Sequence, residues 1–406
     1  MEKYIKDKRQ FSAENDMNKE NKRIYMDNAA TSPVLPEVVE AMLPIFNEYW
    51  GNPSSLHTNG QLAKEILDSA RADIASSLGC DPKEIFFTSC GSESDNWAIK
   101  GAVRASKIDR WEIVTTVFEH HAVLHTCEAL EKEGYKVKYV PVTEKGIVDL
   151  DALREAVTEN TAVVAVMFAN NEIGTIQPIK EITEIAHAKG AVMFTDAVQA
   201  VGALDINVKE LGVDMLSLSG HKLGAPKGIG ALYIKKGTRV KNLIDGGGQE
   251  RNRRAGTENV PYIVGLAKAM KLADERRADN ERIIAMRNRL IDGLLEIPYT
   301  ILNGDRDNRL PGNVNISFEF IEGESLLLWL DMMGISASTG SACSSNTLEA
   351  SHVLLSIGLP IEKAHGSIRF SLSHANTEEE VDTVIEAMKN IVARLRAMSP
   401  IYPGNN

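Results

Sequence analysis

The chain has 406 residues, 43% hydrophobic and 25% charged, with a formal net charge of -11. This is the make-up of a globular protein long enough for two domains. The acidic balance argues against direct binding of nucleic acid or of an acidic membrane, and no apolar run reaches the length of a bilayer span. Four scattered cysteines (Cys80, Cys90, Cys127, Cys343), none in a CxxC pair, argue against a zinc site or disulfide framework and for a reducing cytoplasm.

In chain order, residues 1–22 are almost all charged or polar and read as a flexible extension without a secretory signal, with Met17 as an alternative start. Order is expected from Arg23. Helices are predicted over 36–50 and 61–78, the second stopped by Gly79. Apolar runs then alternate with helical patterns. Strands are predicted at 84–88, 112–118, 136–142, 161–169, 191–197, 214–219 and 229–234, and helices at 93–106, 121–133, 150–157 and 179–189. Several strands are apolar throughout, as strands covered on both faces must be. The alternation predicts an α/β fold with a mostly parallel seven-stranded sheet and right-handed crossovers. After residue 250 the character changes. One long amphipathic helical region over 260–295 leads into a smaller α+β domain with strands at 313–318 and 367–371 and helices at 325–333 and 377–396. The expected division is an extension at 1–22, a large domain at 23–275 and a small domain at 276–406.

Six constellations carry chemistry. Ser217 to Gly228 places Lys222 between Ser, Gly and His residues at the end of an apolar strand. Small neighbours admit a planar ligand, and a desolvated lysine can form a Schiff base with an aldehyde. The alternative is an exposed hairpin lysine. Thr88-Ser89-Cys90-Gly91-Ser92 joins a strand to a helix, a ready anion site, or an ordinary cap, since Ser92 to Asp95 approaches a capping box. Cys90 is expected to point into packing. Asp196 ends a strand with Gln199 close behind, and is either a carboxylate in search of a cationic partner or a cap. His120 opens a helix, to stack on a flat ligand and exchange protons or to cap. The Asn170-Asn171 turn after a later strand offers donors, or simply forms the turn. In the second domain, Cys343 sits in a run of Ser, Thr, Gly and Ala, where a reactive thiol fits better than a structural one. Arg369 lies among strand residues, to take a carboxylate bidentately or to form an internal ion pair. Cys80 and Cys127 fall in or beside helical patterns and are expected to be inert.

Ser-Gly-His-Lys at 219–222, Glu-His-x-Ala-Val at 119–123, Asn-Asn-Glu-Ile-Gly at 170–174 and Asp-Ala-x-Gln at 196–199 occur together with Gly-Gly-Gly-Gln-Glu at 246–250, Arg-x-Gly-Thr at 254–257 and Gly-Ser-Ala-Cys at 340–343. In this order they resemble the pyridoxal-phosphate-dependent cysteine desulfurases, and the Cys loop resembles the nitrogen-fixation and housekeeping iron–sulfur branch. The resemblance implies a homodimer of fold-type I subunits that converts L-cysteine to L-alanine and passes sulfur to an iron–sulfur scaffold or another acceptor. It implies Lys222 as the covalent attachment point of pyridoxal 5'-phosphate, Asp196 on the pyridine nitrogen and His120 over the ring. Asn171 and Gln199 would lie on the phenolic-oxygen side. Gly91, Ser92, Ser219, Gly220 and His221 would form the phosphate site, with Thr257 reaching in from the second subunit. Arg369 and Asn171 would hold the substrate, and Cys343 would accept sulfur as a persulfide and touch an iron–sulfur cluster during transfer. Ser92 stands where the family often has Thr, and the C-terminal Ser399-Pro400-Ile401-Tyr402-Pro403 is expected to lack the tail by which housekeeping members dock their scaffold. The rival readings are an aminotransferase or selenocysteine lyase of the same fold, and a sulfur-handling protein without turnover.

Overall fold

The computed structural model describes residues 23–106, 110–339 and 350–405. A seven-stranded sheet forms its centre. Its strands are β2 (Ile85–Thr88), β3 (Glu112–Thr116), β4 (Lys136–Val140), β5 (Thr161–Ala165), β6 (Val192–Asp196), β7 (Met215–Ser219) and β8 (Gly230–Ile234), in the order β2-β8-β7-β6-β5-β3-β4. Only β8 runs antiparallel to its neighbours. Successive residues feed opposite faces, as the strand period demands. Ile113 and Met215 join the core beneath the helices Gly91–Ala105 and His121–Lys132, while Val114 and Leu216 join the larger core on the other face. Helices on both faces are what made these strands read as continuous apolar runs.

All seven predicted strands are present. β3 and β5 stop at Thr116 and Ala165 rather than at residues 118 and 169. Phe118, Met167 and Phe168 beyond those ends are as apolar and as buried as the strands themselves, so composition does not mark where the ladder gives way to the loops that build the site. The predicted long helix over 260–295 is two helices, Val260–Arg276 and Asn280–Leu295, joined by a tight turn at Arg277–Asp279. Amphipathicity runs unbroken through the joint. The break comes from the partners: Ile263, Leu266 and Met270 pack on the sheet core, whereas Ile283, Met286 and Leu290 pack on a separate C-terminal core.

That second core surrounds a three-stranded antiparallel sheet of β9 (Thr300–Leu302), β10 (Asn313–Phe318) and β12 (Ser367–Ser371), with β10 central. The chain's first described strand, β1 (Ile24–Tyr25), pairs in parallel with β11 (Ile335–Ser336), and Met26 is fully buried in this second core. Residues 24–26, counted with the large domain from sequence order, thus pack with the C-terminal part. Strands of two or three residues carry no readable alternation, which is why β1, β9 and β11 escape a sequence reading.

The Gly-rich segment before residue 250 has a structural function. Glu250 adopts a left-handed backbone (φ 45°) and sends its carboxylate beneath the sheet edge. Arg71 meets it bidentately at 2.7 and 2.8 Å, and the Phe87 amide of β2 donates to it at 2.9 Å. Both side chains are buried. Removing one member of such a pair strands the other charge. Glu250→Ala is therefore expected to destabilise the protein by about 3–5 kcal/mol, seen as a lowered midpoint in urea unfolding.

Candidate active site

One cavity of about 460 Å³ opens at the carboxyl ends of the central strands, the place where open α/β sheets bind ligands. The loops after β2, β3, β5, β6 and β7 contribute Ser92, His120, Asn171, Gln199 and Lys222, and β12 of the second core contributes Arg369.

The end beside β2 is shaped for an anion. The helix Gly91–Ala105 begins there, and its Cys90 N-cap makes no side-chain capping bond. The capping box considered for Ser92 and Asp95 does not form. Glu93 instead turns back to accept from the Ser89 amide at 2.7 Å and pairs with Arg254 at 2.8 Å. The first-turn amides, which have no partner within a helix, are left for a ligand. A Cβ on Gly91 would stand 2.8 Å from Val198 Cγ2, so only glycine lets these loops approach so closely. The buried Ser219 Oγ has no hydrogen-bond partner, which is costly unless something is to be held there. Cys90 is not turned into packing: it lines this end of the cavity.

The middle of the cavity is lined by Asp196, His120 and Lys222. Asp196 ends β6. It accepts from the Val198 amide at 2.9 Å, and burial pushes its pKa up to about 6. His120 does cap its helix, Nδ1 accepting from the Ala122 amide at 3.1 Å, and it also faces the cavity. Burial, with His121 and Lys222 nearby, pushes its pKa down to about 4, so the ring is neutral at physiological pH. Lys222 lies in a tight turn after β7 and is no exposed hairpin residue: Nζ donates to the carbonyls of Ala29 and Ala30 at 2.6 Å. Gln199 Nε2 donates to the same Ala29 carbonyl at 3.0 Å. His221 lies 3.2 Å from Thr31 Oγ1 through Nδ1, and burial holds its pKa at about 4.

The two asparagines divide their work. Asn170 builds the turn, its side chain accepting from the Glu172 and Ile173 amides and donating to the Phe118 carbonyl. Asn171 faces the cavity, and its carbonyl accepts from Arg369 Nη1 at 3.0 Å. Arg369 Nη2 pairs with Asp27 at 3.1 Å, so the internal ion pair exists, yet Nε is buried without a partner and the side chain lines the cavity.

Not every expected residue meets here. Gly220 lies behind the cavity wall, where a Cβ would come 2.7 Å from Ile229 Cγ2. Thr257 is exposed and away from this cavity. Cys343 lies outside the described residues. Cys80 and Cys127 carry pKa values pushed up to about 12 by burial, in keeping with inert thiols. Three residues went unread, Glu119, Glu172 and His352, and Asp95 reads from the sequence only as part of a helix cap. Glu119 accepts from Thr116 Oγ1 and the Met167 amide, and burial raises its pKa to about 8. Glu172 accepts from Ser351 Oγ at 2.5 Å, and burial raises its pKa to about 7. Both glutamates sit inside the very motifs that carry the resemblance, so the motif residues between the expected ligands were the available signal.

An anion cradle with an unpartnered hydroxyl, a buried acid at one strand end and a lysine at the next suit a phosphorylated pyridine aldehyde. On this sheet they define a pyridoxal-phosphate enzyme of fold type I. The class-V aminotransferase family model matches residues 24–384. The cysteine desulfurase IscS of Methanosarcina thermophila is 56% identical over 385 residues, spanning 95% of each chain. A solved NifS-like protein superposes with a TM-score of 0.87 at 40% identity, covering 92% of this chain and all of its own (100%). A structure of SspA in complex with cysteine superposes with a TM-score of 0.75 at 36% identity, covering 86% of this chain and 98% of its own. The chain belongs to the class-V aminotransferase family and, within it, to the cysteine desulfurases.

Proposed function

We propose that this cysteine desulfurase uses the cavity residues as follows. The observation that carries the reading is the meeting of Lys222, Asp196 and the unpartnered Ser219 hydroxyl in one cavity. Ser92, Ser219, His221 and the first amides of the helix Gly91–Ala105 hold the cofactor phosphate, with Gly91 and Gly220 keeping the loops close. Asp196 faces the ring nitrogen and His120 covers the ring, while Asn171 and Gln199 hold its oxygen side. When bound, pyridoxal 5'-phosphate supplies an aldehyde for the amino group of cysteine and a ring that accepts electrons from the α-carbon.

Arg369 orients the substrate carboxylate through a guanidinium that Asp27 and the Asn171 carbonyl hold in place. Lys222 Nζ moves the α-proton, and neutral His120 can accept or return a proton without first losing one. The Cys343 thiolate attacks the substrate sulfur. The carbon–sulfur bond breaks, the sulfur stays on Cys343 as a persulfide, and the carbon skeleton leaves as L-alanine. The persulfide then passes to an iron–sulfur scaffold or another thiol acceptor. We place the protein in the cytoplasm as a homodimer in which Thr257 serves the neighbouring subunit's phosphate site, and we keep the division at residues 275 and 276 as the boundary between the cofactor domain and the domain carrying the thiol. No helix among the described residues is long and apolar enough to cross a membrane.

Alanine and sulfide should form from L-cysteine under a reductant without any keto acid. A requirement for a keto acid would favour an aminotransferase. Asp196→Asn should bind cofactor but turn over slowly, by about 10²–10³-fold, the usual cost of losing one preorganised electrostatic partner. The deficit should appear in kcat with KM for cysteine little changed. Near-normal kcat would make Asp196 a cap and nothing more.

A further inference from the structure

A second carboxyl group lies beside Asp196. Asp95 is on the helix Gly91–Ala105, is only 1% exposed and lines the same cavity. Its carboxyl oxygen, that of Asp196 and a ring nitrogen of His120 all lie within 4.8 Å of one another. Ser217 on β7 donates to Asp95 Oδ1 at 2.5 Å. We propose, on the reading that Asp196 faces the cofactor's ring nitrogen, that Asp95 is a positioning residue which stays protonated, so that Asp196 alone presents negative charge to the ring.

The physical reason is charge economy in a dry site. Two carboxylates this close and this buried cannot both ionise unless a cation compensates each. The groups facing the pair are Glu119, Cys90, His120 and Lys222. Lys222 is the one cation among them, and it favours ionisation of Asp196. Glu119 and Cys90 oppose ionisation of Asp95, and burial raises the Asp95 pKa most of all. His120 is neutral. Asp196 also has the Val198 amide to hold its charge, whereas Asp95 has only a hydroxyl. With Oδ1 occupied by Ser217, the proton of Asp95 resides on Oδ2. A carboxyl in this state works as a neutral polar group, and asparagine can replace it, while alanine would leave Ser217 unpartnered and a gap beside Asp196.

The test uses the full chain freed of cofactor. Equilibrium dialysis against pyridoxal 5'-phosphate should show Asp95→Asn within about threefold of the wild-type affinity, the rescue expected where the neutral form acts, and Asp95→Ala weaker by about tenfold or more. Carbon-13 titration of labelled aspartates should find the signal missing in Asp95→Asn to titrate well above the ordinary carboxylate range, and to move down in Asp196→Asn as the like charge is removed. Asparagine as damaging as alanine, or an Asp95 signal that titrates near pH 4 with ordinary carboxylates, overturns the proposal while leaving Asp196 in its place. Wild-type cofactor affinity together with normal turnover in Asp196→Asn overturns the assignment of Asp196 itself. Should Asp95→Ala fail to fold, the wild-type and Asp95→Asn titrations decide alone.

Discussion

Lys222→Ala is expected to abolish covalent attachment of the cofactor and to lower turnover of L-cysteine by on the order of 10⁴-fold. Lys222 is the one lysine lining the cavity among the described residues. Its ammonium is steered by two carbonyls, Ala29 and Ala30 at 2.6 Å, from a segment that precedes it by more than 190 residues. Among the described residues, the only other basic side chains on the cavity wall are the guanidinium of Arg369, committed to Asp27 and Asn171, and imidazoles. None can form a Schiff base as a primary amine does. The cofactor itself should still enter, because Asp196 and the residues proposed to hold its phosphate are untouched. Borohydride reduction followed by peptide mass spectrometry should leave the cofactor on the peptide containing Lys222 in the wild type and on no peptide in the variant. Cofactor fixed elsewhere, or turnover surviving in Lys222→Ala, would show that another amine does this work.

Cys343→Ser should stop the reaction between substrate binding and sulfur transfer. Turnover should fall by several orders of magnitude, as loss of a reaction's nucleophile does, because a hydroxyl is a far poorer nucleophile toward sulfur than a thiolate. Cysteine should still bind, since Arg369, Asn171 and Lys222 are unchanged, and its addition should still alter the visible spectrum of the bound cofactor. In the wild type, a single turnover should add one sulfur to the peptide containing Cys343. The structure sharpens the rival outcome. Cys127 is fully buried and Cys80 is held protonated, but Cys90 lines the cavity. Sulfur found on Cys90, or alanine released by Cys343→Ser at the wild-type rate, would replace the mechanism with another.

Much of the site was legible because its signals are local. A lysine in a small-residue turn after an apolar strand, an acid at the end of another and a glycine opening a helix each announce themselves within about ten residues. The sheet was legible for the same reason: strands covered on both faces must be apolar throughout, and seven such runs stood in sequence. The resemblance added roles that spacing alone left open, such as His120 over a ring rather than only capping, and the geometry admits both functions at once.

By itself, then, the sequence determined the class of fold and marked most of the candidate chemistry-bearing residues and their order along the chain. Only the tertiary structure decided which of them share a cavity and in what electrostatic state. Arg369 is held by Asp27 across 342 residues of chain. Asp95, which reads as part of a helix cap, turns inward beside Asp196 because Ser217 on a different strand holds it there. The helical region over 260–295 bends where its two halves find different cores, and two-residue strands exist because a partner backbone lies within reach. Each of these depends on contacts between segments far apart in the chain. Local periodicity and propensity report what a segment can bury, whereas its partner, and with it a buried group's charge, is set only when the chain has packed.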